Sequence, residues 1–205
     1  MAENQENERS RLFTLDENLR TEGQSVLERS GIGEIINEAG FHPVGSFVMK
    51  TMTWRDMDFE RYDENPDWLE HWELGRRLAE NTWVWSLHCN DSYRDPRTPG
   101  DYGYYWGLRV SNPNTGGNTF WKIDLWTARK EEFEKSSPNR DIWNSLMNEE
   151  KRYIILSIKD ALWTHPQYRQ TLLSVHIYEA VLENGIKNTD EFCDWWKSGY
   201  GKQTG

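Results

Sequence analysis

One nine-residue stretch limits the possible folds more than any other part of the chain. Residues 53–61 read TWRDMDFER, so Met57 and Phe59 alternate with Asp56, Asp58 and Glu60. A period of two marks a strand with one apolar and one polar face. The chain must therefore build a sheet whose polar face carries neighbouring carboxylates. Two aspartates at i and i+2 of a strand point the same way, with Cβ atoms roughly 6–7 Å apart.

The rest of the chain is arranged around this strand. Residues 1–10 read as a frayed, charged lead. Spaced apolar positions (Leu12, Leu15, Leu19, Val26, Leu27) predict a helix from Ser10 to about Arg29, broken near Gly23. Ser30 resembles an N-cap for a short helix through Ile32, Ile35, Ile36 and Ala39, which Gly40 stops. The run at 41–49 predicts a short apolar strand that ends on Gly45-Ser46. A helix is predicted over 66–81, with Asn65 as cap and Pro66 in the first turn. Further strands are predicted at 83–89, 104–110 and 119–126. Residues 90–102 form a long loop, and SNPNTGGN at 111–118 is a hairpin turn. Helices are predicted at 129–136, 140–164, 166–184 and 189–198, with breaks at Pro138, Pro166 and Gly185. The expectation is an α+β chain: a helical lead (1–29), a core (30–127), a helical region (128–198) and a Gly-containing flexible tail (199–205).

Composition narrows the function. The 205 residues carry a formal net charge of −10, so the basic footprint of a long-nucleic-acid binder is missing. An acidic protein still binds a triphosphate if metal ions supply positive charge, and an acidic cleft attracts a cationic acceptor. Twelve tryptophans argue against disorder. Cys89 and Cys193 lie in no zinc-ligand spacing, and two free thiols fit a reduced compartment. The N-terminus lacks the pattern of a signal peptide, and no apolar run approaches a membrane span. A cytoplasmic protein is expected, with no membrane partner.

Three features carry chemistry. Gly45-Ser46 closes an apolar strand, where glycine lets a backbone approach phosphate and serine supplies donors. Asp56 and Asp58 share a strand face. Asp124 sits among apolar neighbours in Trp121-Lys122-Ile123-Asp124-Leu125, where an unpaired buried charge is costly and needs a partner. Oxygen ligands of this kind suit magnesium, which keeps waters and substrate phosphates in its shell. Read singly, each has a plainer explanation: a solvated strand face, a turn, a paired core carboxylate.

Taken in order, Gly45-Ser46, nine residues, then Asp56-Met57-Asp58-Phe59, with Asp124 as the third carboxylate, resemble the nucleotidyltransferase superfamily. That superfamily includes DNA polymerase beta, CCA-adding enzymes and antibiotic nucleotidyltransferases. The resemblance covers roughly residues 41–126. It implies a mixed β-sheet flanked by helices, with the helical C-terminal region resembling the annex of the small-molecule-modifying members. It implies Mg²⁺ (or Mn²⁺) on Asp56, Asp58 and Asp124, and a nucleoside triphosphate such as ATP as co-substrate. The expected activity moves a nucleoside monophosphate onto a hydroxyl of a small-molecule, possibly antibiotic-like, or protein acceptor. Lys159 matches a triphosphate-gripping lysine of some relatives, or is a surface lysine paired with a neighbour such as Asp160. The glutamate base those relatives carry one turn earlier is Ile155 here, which leaves Asp124 to take the proton. The alternative is a nucleotidyltransferase-fold binding module, acting as a regulator or toxin–antitoxin component.

Other residues read more plainly. Lys50 and Arg55 flank the motif, each either a phosphate contact or, on the favoured reading, a surface charge, with Arg55 on the opposite strand face from Asp56. His88 reads as a satisfied core histidine of its strand rather than a catalyst, and His42, His71, His165 and His176 are scattered. Trp83, Trp85, Trp106, Trp121 and Trp126 are mostly core, with one or two able to stack on a base or sugar. The run Tyr102-Gly103-Tyr104-Tyr105-Trp106 is either a packed strand start or the lining of an acceptor pocket.

Overall fold

A computed structural model describes residues 2–95, 102–136, 140–168 and 170–199. The chain forms two compact units, residues 17–138 and residues 1–16 with 139–205. The loop at 96–101, the break at Pro138 and the tail beyond Gly199 lie outside the described residues.

The first unit holds a five-stranded mixed sheet. Its strands are β1 (His42–Val44), β2 (Asp56–Tyr62), β3 (Val84–Asp91), β4 (Tyr104–Ser111) and β5 (Phe120–Ala128). They lie in the order β1-β2-β5-β4-β3, with β2 and β5 parallel and the other pairs antiparallel. Period-two alternation sorts the side chains. Met57, Phe59, Trp106, Leu108, Val110, Trp121, Ile123 and Leu125 are buried on one face. Asp56, Asp58, Lys122 and Asp124 belong to the other. The α+β architecture expected from the pattern is present.

Helices cover the apolar face. Helix α1 (Ala2–Ser30) runs unbroken through Gly23. A Cβ at Gly23 would lie 3.0 Å from the Trp121 ring and 3.1 Å from the Met57 sulfur. The glycine is a close-packing site, not a break. Helix α2 (Ile32–Glu38) buries Ile32 and Ile36. Its cap residue is Gly31 at φ 73, not Ser30. Ser30 Oγ donates to the Val26 carbonyl and accepts from the Ile32 N–H. Gly40, at φ 80, ends the segment as expected.

The strand expected to end on Gly45-Ser46 runs to Val44. Gly45, at φ 64, turns the chain, and Gly45–Met49 form the short helix α3. The apolar run suggested a strand, but the left-handed glycine ended it. Helix α4 (Trp68–Ala79) begins two residues later than expected, and its cap is Asp67 rather than Asn65. Asp67 Oδ1 accepts the Glu70 N–H at 2.8 Å, whereas Asn65 donates its N–H to Asp63.

Helix α4 buries Leu74 and Leu78, and its Gly75 meets the sheet at Trp106. A Cβ at Gly75 would stand 2.1 Å from Trp106 Cζ2 and 2.6 Å from Cη2. Gly75→Ala thus opposes two effects. Alanine favours a helix by about 1 kcal/mol, while overpacking a filled core costs about 1–3 kcal/mol or more. Trp106 is 2 % exposed and donates its Nε1–H to the His71 carbonyl, so the ring cannot step aside freely. We expect Gly75→Ala to lose about 2 kcal/mol in urea denaturation; an unchanged midpoint would refute the tight packing of α4.

The second unit is helical. With the first turns of α1 it contains α6 (Arg140–Leu146), α7 (Glu149–Ala161), α8 (Ser174–Leu182) and α9 (Thr189–Gly199), while α5 (Lys130–Ser136) belongs to the sheet unit. Its core includes Leu12, Ile155, Leu156, Ile158, Ile177, Val181 and Phe192. The predicted helix 140–164 is divided, because Asn148 caps α7 by accepting the Lys151 N–H at 2.9 Å. The predicted helix 166–184 is helical only from Ser174, and Tyr168 and Leu172 form an isolated bridge instead. The N-terminal lead is helical from Ala2, not frayed. Arg9 reaches Glu149 and Glu150, Arg11 reaches Asp160, and the fully buried Asp16 pairs with Arg152 at 2.7 Å. These ion pairs order a segment that has little apolar pattern of its own. Among the described residues no helix is long and apolar enough to cross a membrane.

Candidate metal centre

The parallel pairing of β2 and β5 assembles the acidic cluster. Asp58 lies opposite Asp124 and Asp56 opposite Lys122 in register. Adjacent strands are about 4.8 Å apart, and alternate residues share a face. Asp56, Asp58 and Asp124 each bring a carboxylate oxygen to within 4.8 Å of the others. Three like charges so close repel by roughly 3 kcal/mol per pair at an effective dielectric constant of 20. Such a cluster persists only with compensation.

Lys122 supplies part of it. Its Nζ lies 3.0 Å from Asp56 Oδ1 and also pairs with Asp124 Oδ2. Burial favours the neutral amine, but attraction to Asp56, Asp124 and Asp58 outweighs it and holds the ammonium above its ordinary range. Asp124 is 9 % exposed. Burial raises its proton affinity, Lys122 opposes this, and the nearby Asp56 charge adds to it; the outcome is a carboxyl above its usual range.

Neighbours fix the carboxylates. Trp54 Nε1 donates to Asp56 Oδ2 at 3.1 Å, and the Tyr105 hydroxyl donates to Asp124 Oδ1 at 2.8 Å. Tyr105 reaches Asp124 by lying over Gly107, the residue paired with Asp124 across β4 and β5. A Cβ at Gly107 would meet the Tyr105 hydroxyl at 2.3 Å. Burial, and then the Asp124 charge, raise the pKa of that hydroxyl, which keeps it a donor. Its ring packs on Trp126 at 4.6 Å between centroids.

Gly45 closes one side of the cluster. A Cβ there would lie 3.1 Å from Asp58 Oδ2, so the backbone at Gly45 approaches the carboxylate more closely than most residues permit. Val44 pairs with Asp58, which brings Gly45 and the half-buried Ser46 to the same end of β2.

The structure thus brings together Gly45, Ser46, Asp56, Asp58 and Asp124. Lys159 belongs to the helical unit. It is 1 % exposed, with its ammonium 5.8 Å from the Tyr178 ring centroid. The reading of Lys159 as a surface residue is therefore corrected, and Asp160 holds Arg11. Arg55 is engaged by Glu22 at 2.7 Å, and Lys50 is exposed in the left-handed region at φ 58. His88 is exposed, which corrects the reading of it as a core histidine, while His71 is buried among aromatic rings.

Lys122 and Trp54 were given no role from the sequence, and Tyr105 none at the carboxylates. Lys122 had a readable signal, since at i−2 from Asp124 it must share that strand face. Tyr105 had a weaker one, the glycine two residues on.

The donor set fits a hard divalent cation: all oxygens, charge in excess, and two carboxylates held by hydrogen-bond donors. The chain matches no family model, and no curated protein matches it in sequence.

Proposed function

We propose that the sheet unit is a metal-dependent nucleotidyltransferase centre that moves a nucleoside monophosphate from a triphosphate to a hydroxyl of a small-molecule or protein acceptor. The observation that carries this reading is the convergence of Asp56, Asp58 and Asp124 from two parallel strands, within 4.8 Å of one another. The close approach of the Gly45 backbone to Asp58 supports it, because phosphate held by Gly45 and Ser46 would lie beside the acidic cluster. Asp56, Asp58 and Asp124 would hold Mg²⁺ or Mn²⁺, which supplies Lewis-acid stabilisation of the transferring phosphoryl group.

The chain's own residues do the rest. Gly45 and Ser46 donate to phosphate oxygens. Asp124, the third carboxylate, receives the proton of the acceptor hydroxyl. Tyr105 and Trp54 fix the carboxylates so that no reorientation is needed during reaction. Lys159 enters this scheme only if the buried ammonium becomes accessible.

The test is thermal stability with ATP, GTP, CTP and UTP, each with and without Mg²⁺, for the wild type and the Asp56→Asn/Asp58→Asn double variant. A ligand that binds only the folded state stabilises it by about 2.7 kcal/mol at a hundredfold excess over its dissociation constant. A magnesium-dependent rise with one nucleotide, lost in the double variant, is the expected result. The second reading is a binding module without turnover, and one observation favours it: Lys122 already neutralises part of the cluster. No shift with any nucleotide would make that reading the better one.

A further inference from the structure

The Lys122 ammonium occupies the part of the cluster where positive charge is most needed. It takes one oxygen of Asp56, at 3.0 Å, and one of Asp124. The other oxygen of each carboxylate accepts from Trp54 and Tyr105, respectively. A cation held by Asp56 and Asp124 therefore competes with the ammonium for the same oxygens. Their like charges also prevent both from sitting between the two carboxylates. Lysine is suited to leaving, because its ammonium ends a flexible four-carbon stem and binds as a point charge. The Lys122 side chain retains 31 % exposure, so it has somewhere to go.

We infer that Lys122 is the resident counter-ion of the site, displaced from Asp56 and Asp124 when a divalent cation is taken up and then received by the polyphosphate that arrives with the cation. The inference rests on the metal-binding reading above and adds the site's selectivity. A bare cation must displace the ammonium and leave it unpaired beside a positive ion. A metal–polyphosphate complex displaces it and supplies phosphate oxygens to hold it. The site therefore favours the complex over the free ion, and the metal-free protein keeps its carboxylates assembled.

The test measures Mn²⁺ binding by electron paramagnetic resonance in wild type, Lys122→Met, Lys122→Gln and Asp58→Asn, with and without inorganic tripolyphosphate. The two lysine variants should bind free Mn²⁺ at least about tenfold more tightly than wild type, because each removes a positive charge that competes with the ion. They should also lose the gain in retention that tripolyphosphate gives the wild type. Equal Mn²⁺ affinity in wild type and lysine variants, with binding abolished by Asp58→Asn, would overturn the role of Lys122 and leave the metal site standing. No Mn²⁺ binding by any form, with or without tripolyphosphate, would overturn both. If the variants do not fold, the wild type decides through the ¹⁵N resonance of Lys122 Nζ. A shift of that resonance on adding Mg²⁺ and tripolyphosphate is expected, as the ammonium exchanges carboxylate for phosphate partners; an unchanged signal with ligand bound would refute displacement.

Discussion

Asp58→Asn should abolish nucleotide transfer while leaving the protein folded. Metal-held carboxylates contribute several kcal/mol of transition-state stabilisation, and about 4 kcal/mol corresponds to about a thousandfold in rate. The fold should tolerate the change. Asn is isosteric with Asp, Asp58 is half-buried, and its removal relieves repulsion among three carboxylates within 4.8 Å. Some attraction to Lys122 is lost in exchange. The two effects oppose each other, so stability should change by no more than about 1 kcal/mol. Pyrophosphate release from the nucleotide found in the thermal screen measures the activity, and denaturant unfolding measures the fold. Wild-type turnover in Asp58→Asn would end the nucleotidyltransferase reading.

Lowering the pH from 7 to 4 should remove about 3 kcal/mol of folding stability through His71 alone, given an unfolded histidine pKa near 6.5. The imidazole is 1 % exposed and stacks on Trp68 and Trp106, with ring centroids 5.7 Å and 5.3 Å away, beside Tyr104. Burial lowers its pKa to about 4, with help from the Arg61 charge. The sign follows from which state binds the proton. Between pH 6.5 and 4 the unfolded chain takes up a proton that the native protein refuses. Stability is therefore complete above about pH 6.5 and falls as the pH drops toward 4. His71→Phe keeps a ring among Trp68, Tyr104 and Trp106 but cannot titrate. Urea denaturation at both pH values should show a pH dependence smaller by this amount in the variant. Identical pH profiles would show that His71 does not resist protonation in the fold.

The sheet and its acidic face were legible because strand alternation is local. TWRDMDFER places Asp56 and Asp58 together whatever the partner strand, and WKIDL does the same for Lys122 and Asp124. The boundaries of β3, β4 and β5 were close for the same reason. In the 41–49 run the strand's end at Gly45-Ser46 was legible, but the short helix after it was not, because an apolar run specifies burial, not dihedral angles, and Gly45 at φ 64 took the option only glycine has freely. The polar start of α1 was misjudged because its order comes from Arg9, Arg11 and Asp16 meeting residues more than 130 positions away.

By itself, then, the sequence determined which residues share a face: the carboxylate pair, the apolar side of each strand and the helical character after residue 128. Tertiary structure decided which faces meet. No local pattern encodes that β5 pairs in parallel with β2, or that Asp124 falls opposite Asp58 and Lys122 opposite Asp56. A slip of one residue would turn Asp124 and Lys122 to the buried face. Register is set by the whole of the buried side, where Trp121, Ile123 and Leu125 fit against Met57, Phe59 and the helix at Gly23. The packing of the apolar face thus fixes the chemistry of the opposite one.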